Sequence, residues 1–456
     1  MSHIRIFCLL MASVFLGSSG VVFAHVACAN LDSSSLLMDL PCVVSRGTTW
    51  SVTLIPEFNP KGEVGAWHAD RNSIEQADFA PDNKACAVLN GSTNDLKLNC
   101  VLSHGKVWQA QLAAKYPGSK QLIWYLESYG PGDSQGEGAR EFRQVDPEFA
   151  EVLGDNFSLS IVVEANAHEG PVYVVSENTL YFTSTPAETH RGLNVTVSKL
   201  ELNGDQPPYY NAVVSVIRDP SNLANGMTLS LDGALLICEQ GTMDEAARIS
   251  RLDIGTLQAD TVVDAFAGLP LNSPNDIVIK SDGTIWFTDP SYGFLQDIKP
   301  FPLVGDNVYR YDPETEEIIV VAGSFNKPNG LAFSPDESIL YINDSGAIQT
   351  PGSFFDNLPH QVRAYNVNEG GVLTSNGVVW DVSPGIPDGM KVDAAGRVYT
   401  SSATGVQVFR PNGDLLGEIF VKGVANFTFG GPNNDQLFML NDTEIWVATL
   451  GVQGAL

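Results

Sequence analysis

Short apolar runs separated by turn residues recur along the second half of the chain. In the clearest copy, residues 277–279 and 285–287 flank the turn at residues 280–283. Apolar runs of this length bounded by turn residues predict two strands paired in a hairpin. Each copy opens on an acidic or amide residue, and the six starts are Glu169, Asn225, Asn275, Asn329, Asp388 and, in a degenerate copy, Asn426.

The spacing of these starts indicates the fold. Successive starts are separated by 56, 50, 54, 59 and 38 residues, a period typical of β-propeller blades rather than of helical repeats. The sequence pattern of residues 146–456 contains no amphipathic helix of normal length. We therefore predict an all-β protein in which residues 146–456 form a six-bladed β-propeller.

The N-terminal part has a different pattern. Residues 25–127 contain runs that alternate apolar and polar positions, such as residues 49–55 and 96–102, without the blade period. Such alternation is typical of half-buried antiparallel strands, and it predicts a small sandwich-like β-domain. Residues 128–145 are rich in glycine and polar residues and are predicted to be a linker.

The cysteines suggest that disulfides stabilise this small domain. Cys8 lies in the predicted signal, and four of the others fall between it and the first blade; pairing Cys28 with Cys42 and Cys86 with Cys100 is the simplest of three connectivities, among which the sequence does not choose. Cys238 follows an apolar run and is expected to be a buried free thiol. No CxxC or Cys/His cluster is present, which argues against a zinc site.

Residues 1–24 are typical of a cleaved secretory signal, with Arg5, an apolar core and small residues before His25. The protein is therefore expected to be secreted, or periplasmic in a bacterium, with no membrane anchor after cleavage. In a eukaryotic host some sequons would carry glycan, although Asn343 is expected to be strand-bound and unavailable. The sequons begin at Asn90, Asn156, Asn194, Asn343, Asn426 and Asn441.

The charge balance limits the classes of partner. With 25 Lys and Arg against 53 Asp and Glu, the net charge is −28. This acidity argues against nucleic acid or an anionic membrane as the partner.

The start positions carry oxygen donors, which points to a cation site. If the blades are rotational copies, the same position in each blade faces the same axis, so the side chains converge there. Two carboxylates with amide oxygens form a site for a hard cation such as calcium. The alternative for each position taken singly is turn chemistry, because Asn-Gly and Asp-Gly are common turn dipeptides. Recurrence in register favours the site.

Four motifs resemble the gluconolactonase and regucalcin family of six-bladed propellers: HEGPVY (168–173), SPNDIVIKSDGTIWFTDPSYG (273–293), KPNGLAFSPDESILYINDSG (327–346) and IPDGMKVDAAGRVYTSS (386–402). The first motif and the spacing favour its secreted lactonohydrolase branch. The resemblance implies a lactone hydrolase with one divalent cation, usually Ca²⁺, with Zn²⁺, Mg²⁺ or Mn²⁺ as alternatives. It implies that Glu169, Asn275, Asn329 and Asp388 are the metal ligands and that Asp388 is also the general base.

Further residues are predicted to line the substrate pocket. Asn225 is expected to hold water or substrate, and Tyr292 to form a wall. His168 is interpreted either as a proton donor to the leaving group or as a packed neighbour. Glu239, Asp289 and Asp344 end the second strand of their copies, where substrate contact and loop capping are both open.

These observations lead to a functional hypothesis, which is calcium-dependent hydrolysis of a lactone. The carbonyl oxygen would bind the cation while Asp388 takes a proton from the attacking water. One alternative is another ester-cleaving activity, such as an arylesterase, on the same scaffold. A second is a non-catalytic, calcium-stabilised propeller that binds sugar or protein. The sequence determines neither the lactone nor the oligomeric state.

Overall fold

The chain divides into two compact units, residues 1–140 and 141–456. A computed structural model describes residues 29–31, 37–45, 48–58, 64–70, 73–76, 87–89, 96–103, 106–115, 123–131, 141–190, 192–209, 212–350 and 352–455. The predicted signal peptide, residues 1–24, lies outside the described residues. The unit boundary falls within the predicted linker, although residues 128–131 of that segment continue a strand.

The first unit is built from one sheet of nine described strands. They are β1 (Ala29–Leu31), β2 (Met38–Ser45), β3 (Thr48–Phe58), β4 (Val64–Ala69), β5 (Glu75–Gln76), β6 (Ala87–Leu89), β7 (Leu96–Ser103), β8 (Lys106–Lys115) and β9 (Ile123–Pro131). The pairings run from β1 through β2, β3, β4, β9, β8 and β7 and return to β1. The sheet therefore closes on itself.

This closed sheet differs from the predicted sandwich, which would have two separate sheets. Alternating strands have the same pattern in both architectures, and only the long-range pairing of β1 with β7 distinguishes them. The described core of the unit includes Leu54, Trp67 and Leu112. Cys42 is buried and disulfide-bonded. The other cysteine side chains of this unit lie outside the described residues, so the connectivity stays a prediction.

The second unit contains six antiparallel sheets of four or five strands, which follow one another along the chain. Its elements are β10 (Phe142–Gln144), α1 (Phe149–Leu153), β11 (Ser158–Glu164), β12 (Glu169–Val174), β13 (Thr179–Thr183), β14 (Ala187–Thr189), β15 (Gly192–Asn194), β16 (Val197–Glu201), β17 (Val213–Arg218), β18 (Ala224–Leu229), β19 (Leu235–Glu239), β20 (Arg248–Leu252), β21 (Ala259–Val263), β22 (Ala265–Phe266), β23 (Leu269–Pro270), β24 (Ile277–Ile279), β25 (Ile285–Asp289), α2 (Tyr292–Leu295), β26 (Asn307–Asp312), β27 (Glu317–Ala322), β28 (Pro328–Phe333), β29 (Ile339–Asp344), β30 (Gln361–Val367), β31 (Leu373–Asp381), β32 (Met390–Val392), β33 (Val398–Ser401), β34 (Val406–Phe409), β35 (Leu415–Ile419), β36 (Asn426–Gly430), β37 (Gln436–Leu440) and β38 (Glu444–Thr449), with 3₁₀ turns at Val175–Glu177 and Glu369–Gly371.

The first strands of these sheets form a closed ring. Strands β12, β18, β24, β28, β32 and β36 each contact the next one in the series, and β36 contacts β12. The last sheet takes its outer strand, β11, from the beginning of the unit, so the two ends of the chain segment are held in one sheet. This is the arrangement of a β-propeller, and the all-β prediction is confirmed.

The spaces between the sheets are filled by apolar side chains. Buried aromatic residues such as Trp286, Phe427 and Phe438 pack between neighbouring sheets, which fixes the ring and the positions of its inner strands. Cys238 is a buried free thiol, as predicted. Asn343 and Asn426 are buried, so a glycan cannot attach at either position in the folded protein. Among the described helices, none combines the length and the apolar character needed to cross a bilayer.

Candidate functional site

The six start residues lie at or just before the first strand of each sheet, on the inside of the ring. In three sheets the register of the first hairpin shifts at the start residue, between Glu169 and Val172, between Ala224 and Met227, and between Pro328 and Leu331. A bulge changes the direction of the side chains beside it. Start residues in these sheets therefore depart from the regular alternation of the strand.

The glycine after a start residue is explained by the neighbouring sheet. The Gly330 N–H donates a hydrogen bond of 3.1 Å to the Asp388 carbonyl, and a Cβ atom on Gly330 would lie only 2.2 Å from that oxygen. Likewise, a Cβ on Gly226 would lie 2.5 Å from the Asn275 carbonyl. Asn329–Gly330 and Asn225–Gly226 lie within strands. Close approach between sheets, and not turn chemistry, thus requires these glycines.

Two predicted acids and a third carboxylate interact electrostatically beside the inner strands of the ring. Glu169 and Asp276 are 4% and 3% exposed, and Asp388 is partly buried. Burial and the charge of Asp276 raise the pKa of Glu169 to about 8. Burial and the charge of Glu169 raise the pKa of Asp388 well above its usual range. Three carboxylates from three sheets therefore share one poorly solvated space.

Asn329 links the acids to the predicted wall residue. Its amide lowers the pKa of both Asp388 and Tyr292, so it lies near both groups. Tyr292 opens the short helix α2 and is 9% exposed. Burial and then the charge of Asp388 raise the pKa of the Tyr292 hydroxyl well above its usual range. The contact brings residues of the third, fourth and fifth sheets together.

The remaining amides flank this cluster. Asn275 is 7% exposed, and its carbonyl accepts a hydrogen bond of 2.8 Å from the Gly226 N–H. The Oδ1 atom of Asn225 is buried and has no partner in the described part of the protein. A buried amide oxygen without a donor is unfavourable, and it is available to a ligand.

His168 lies beside the cluster and has a carboxylate partner. Its Nδ1 is 2.6 Å from Asp442 Oδ1. Burial alone would lower the pKa of the imidazole, but the hydrogen bond and charge of Asp442 outweigh it, so the pKa is raised. The negative charge of Asp388 acts in the same direction, which shows that the ring is near the predicted base.

Glu239, Asp289 and Asp344 have protein partners instead of facing the axis. The Asp289 carboxylate accepts hydrogen bonds of 2.8 and 2.7 Å from the backbone N–H groups of Asn272 and Ser273. The Asp344 carboxylate accepts a hydrogen bond of 2.9 Å from the Lys327 N–H. These contacts fix the loops that precede β24 and β28. The interactions of Asp289 and Asp344 therefore favour the loop-capping alternative.

Glu239 belongs to an ion-pair network. Its carboxylate oxygens accept hydrogen bonds from Arg218 at 2.6 Å and Arg248 at 2.7 Å, and from Ser250 at 2.5 Å. The side chain is fully buried. Glu239 thus has a structural environment, with its acceptor positions occupied by protein donors.

Three residues of the cluster are absent from the predicted set. Asp276 occupies the position that is glycine in four of the other copies. The Asn426 amide, from the degenerate sixth copy, donates a hydrogen bond of 2.7 Å to Glu169 Oε2. Lys391 supplies positive charge that opposes the raised pKa values of Glu169 and Asp276. The repeat itself could have indicated Asp276 and Asn426, but no local pattern marks Lys391.

The donors on the axis are a mixture of carboxylates and amides. No group of three His, Cys, Asp or Glu side chains in the described ranges has the arrangement of a metal site. The interacting oxygen groups are instead Glu169, Asp276 and Asp388, with the Asn426 amide hydrogen-bonded to Glu169.

The chain is similar to several known proteins. Residues 167–442 match the family described as the SMP-30/Gluconolactonase/LRE-like region. A gluconolactonase of Zymomonas mobilis is 32% identical over 269 residues, which are 55% of this chain and 68% of the relative. The lactonohydrolase oryL of Aspergillus oryzae is 27% identical over 67% of this chain and 73% of its own length. The solved structure of a gluconolactonase from Xanthomonas campestris has a TM-score of 0.56 and 31% identity, and the match covers 68% of this chain and 95% of that one.

Proposed function

Because the chain belongs to the SMP-30/gluconolactonase/LRE-like family, we propose that it hydrolyses a lactone at a site on the axis of a six-bladed propeller. Relatives named gluconolactonase and lactonohydrolase support the reaction class. The six sheets, whose first strands contact one another in a closed ring, support the number of blades.

The observation that carries the proposal is the convergence of side chains from separate sheets. Glu169, Asp276 and Asp388 interact through their charges, and Asn329 lowers the pKa of Asp388. Buried carboxylates held this close together are unfavourable for stability alone. Perturbed acids gathered at one point are characteristic of functional sites.

The residues present fit a divalent cation. Within the described part of the chain, the positive charge that acts on the Glu169 and Asp276 carboxylates comes from the Lys391 ammonium group. The unpartnered Oδ1 of Asn225 is a further oxygen donor. We propose that Glu169, Asn275, Asn329 and Asp388 would hold the ion, and that Ca²⁺ suits this all-oxygen set. Such an ion would polarise the lactone carbonyl.

The protein's own groups have distinct roles in the proposed reaction. Asp388 accepts a proton from the water that attacks the carbonyl carbon. Asn329 favours the ionised form of the Asp388 carboxylate, since it lowers the pKa of that group. Opening of the ring requires a proton at the leaving alkoxide, and the His168–Asp442 pair lies beside Asp388 and can supply it. Tyr292 forms one wall and limits access of water.

The cellular context is also proposed from the sequence. The signal-like residues 1–24 support export, and glycan attachment is proposed only at exposed sequons. The proposed reaction assigns no part to residues 25–127.

The test is pH-stat hydrolysis of a panel of sugar and aliphatic lactones, with simple aryl esters and a phosphotriester as comparison substrates. The full chain is assayed with added calcium and with chelator. We expect turnover of lactones that depends on the cation. Cleavage of aryl esters or the phosphotriester in preference to lactones would overturn the substrate class. Cation binding without any hydrolysis would instead indicate a non-catalytic propeller.

A further inference from the structure

A cavity lies among the loops of the second and third sheets, and nothing in the reaction above accounts for it. Its volume is about 400 Å³, and it is lined by residues 242–246, 270–273, 291, 294 and 299–303. We call it the loop cavity. This volume lies in the range of small-molecule pockets.

The loop cavity shares its walls with the proposed site. Ser273, which lines it, lies two residues before Asn275, and Ser291 and Phe294 flank Tyr292. The Gly293 N–H donates a hydrogen bond of 2.8 Å to Ser273 Oγ. This bond joins the wall segment at Ser273 to the one at Ser291 and Phe294. The segments that carry Asn275 and Tyr292 therefore also form part of the wall of the loop cavity.

The lining is mainly apolar and open to solvent. Met243, Phe301 and Leu303 are 62%, 71% and 60% exposed. Phe301 packs edge-on against Phe294, with their ring centroids 5.3 Å apart. Several large, exposed apolar side chains around a single concavity are typical of a ligand site.

Two nearly buried polar side chains provide anchors. Asn272 is 5% exposed, and its Oδ1 has no partner within the described ranges. Lys299 is 7% exposed, and its Nζ makes a long hydrogen bond of 3.4 Å to the Leu271 carbonyl. The acids Asp244 and Glu245 also line the cavity and disfavour an anion. The lining thus suits a neutral ligand with an apolar body and one polar group.

We propose, on the basis of the lactone hydrolysis above, that the loop cavity binds an apolar substituent of the lactone. The enzyme then prefers alkyl- or aryl-substituted lactones over polyhydroxylated sugar lactones. The rim residues Phe301 and Leu303 determine this preference, while Asp388 and its neighbours carry out the reaction on either class.

The first arm of the test measures kcat/KM for δ-lactones with alkyl chains of increasing length. We expect a rise of up to about fourfold for each methylene that enters the cavity. Phe301→Ser and Leu303→Ser should flatten this series and leave the rate on a hydroxylated lactone unchanged. Leu231→Ser is the matched control, because Leu231 is 66% exposed in the β18–β19 turn and does not line the cavity.

The second arm separates this inference from the reaction. Binding of alkyl-substituted δ-lactams, which are not hydrolysed, is measured by calorimetry on the full chain. Chain-length-dependent binding that Phe301→Ser weakens supports the cavity even if no lactone is turned over. The proposal would be overturned if neither the affinity nor the rate depended on chain length. It would also be overturned if the dependence were as steep in Phe301→Ser and Leu303→Ser as in the wild type.

Discussion

The Asn426 side chain donates a hydrogen bond of 2.7 Å to the Glu169 carboxylate, so the last sheet of the ring is joined to the first at the site itself. Both residues are almost fully buried. The same contact therefore helps to close the ring and orients Glu169, a proposed metal ligand.

Asn426→Leu keeps the approximate volume of the side chain but removes this donor. Because a buried carboxylate then loses a partner, we expect the free energy of unfolding to fall by about 1–3 kcal/mol. Urea unfolding in the presence of chelator measures the protein contact alone. Asn412→Leu is the control, since its partner Asp414 is exposed and its effect should stay within about 0.5 kcal/mol. Equal losses in both variants would contradict this account of closure.

Gly330→Ala tests whether the repeated glycine is required by the neighbouring sheet. The added Cβ would lie 2.2 Å from the Asp388 carbonyl, so the sheets must separate or Asp388 must move. We expect a loss of about 1–3 kcal/mol in stability and a lower kcat. In Gly255→Ala, the matched control, the nearest atom is 3.5 Å from the new Cβ, and thermal unfolding should change little. A stable, fully active Gly330→Ala would show that the neighbouring sheet does not require glycine at this position.

The ion-pair environment of Glu239 predicts a specific dependence of folding stability on pH. Its ion pairs and hydrogen bonds with Arg218 and Arg248 outweigh the effect of burial and lower its pKa below the ordinary value of 4.5. A carboxylate with a depressed pKa stabilises the fold above the unfolded-state pKa, and this contribution is lost as the pH falls through the folded-state pKa. We therefore expect the wild type to lose stability faster than Glu239→Gln below about pH 4.5.

Thermal unfolding of both proteins between pH 7 and pH 3 measures this difference. At pH 7, Glu239→Gln should cost about 3 kcal/mol, because two partly buried arginines lose their counter-charge. Glu201→Gln is the control, since its pair with Lys199 is largely exposed, and its unfolding curve should follow the wild type at each pH. If the stabilities of the wild type and Glu239→Gln changed in parallel with pH, the proposed coupling between Glu239 ionisation and folding would be refuted.

Much of the propeller could be predicted because its repeat is local. The hairpin at 277–289 and its relatives indicate the blade period directly, and the start residues lie at the inner strands of the ring. The closed N-terminal sheet could not be predicted in this way, because its architecture depends on the pairing of β1 with β7, which are distant in sequence. An alternating strand has the same pattern in a sandwich and in a closed sheet.

The site shows the same limit at the level of single residues. The chemistry of Asp289 and Asp344 depends on backbone donors in other loops, which the strand pattern does not reveal. Lys391 is an isolated cation in a short strand, and only the fold brings its charge near Glu169. Asp276 departs from the glycine pattern of the repeat and Asn426 opens its sixth copy, so the repeat indicates these two residues but not Lys391.

The central claim is that Asp388 is the base at an axial, cation-dependent site. Its most direct test is the kcat of Asp388→Ala, measured by pH-stat on the best lactone in excess calcium, beside Asp282→Ala. Asp282 lies in a turn, pairs with Lys280 and has a half-exposed side chain, so its variant should retain the wild-type rate. We predict that Asp388→Ala loses about 10²–10⁴-fold in kcat while it remains folded. A folded Asp388→Ala that hydrolyses the lactone at the wild-type rate would contradict the account.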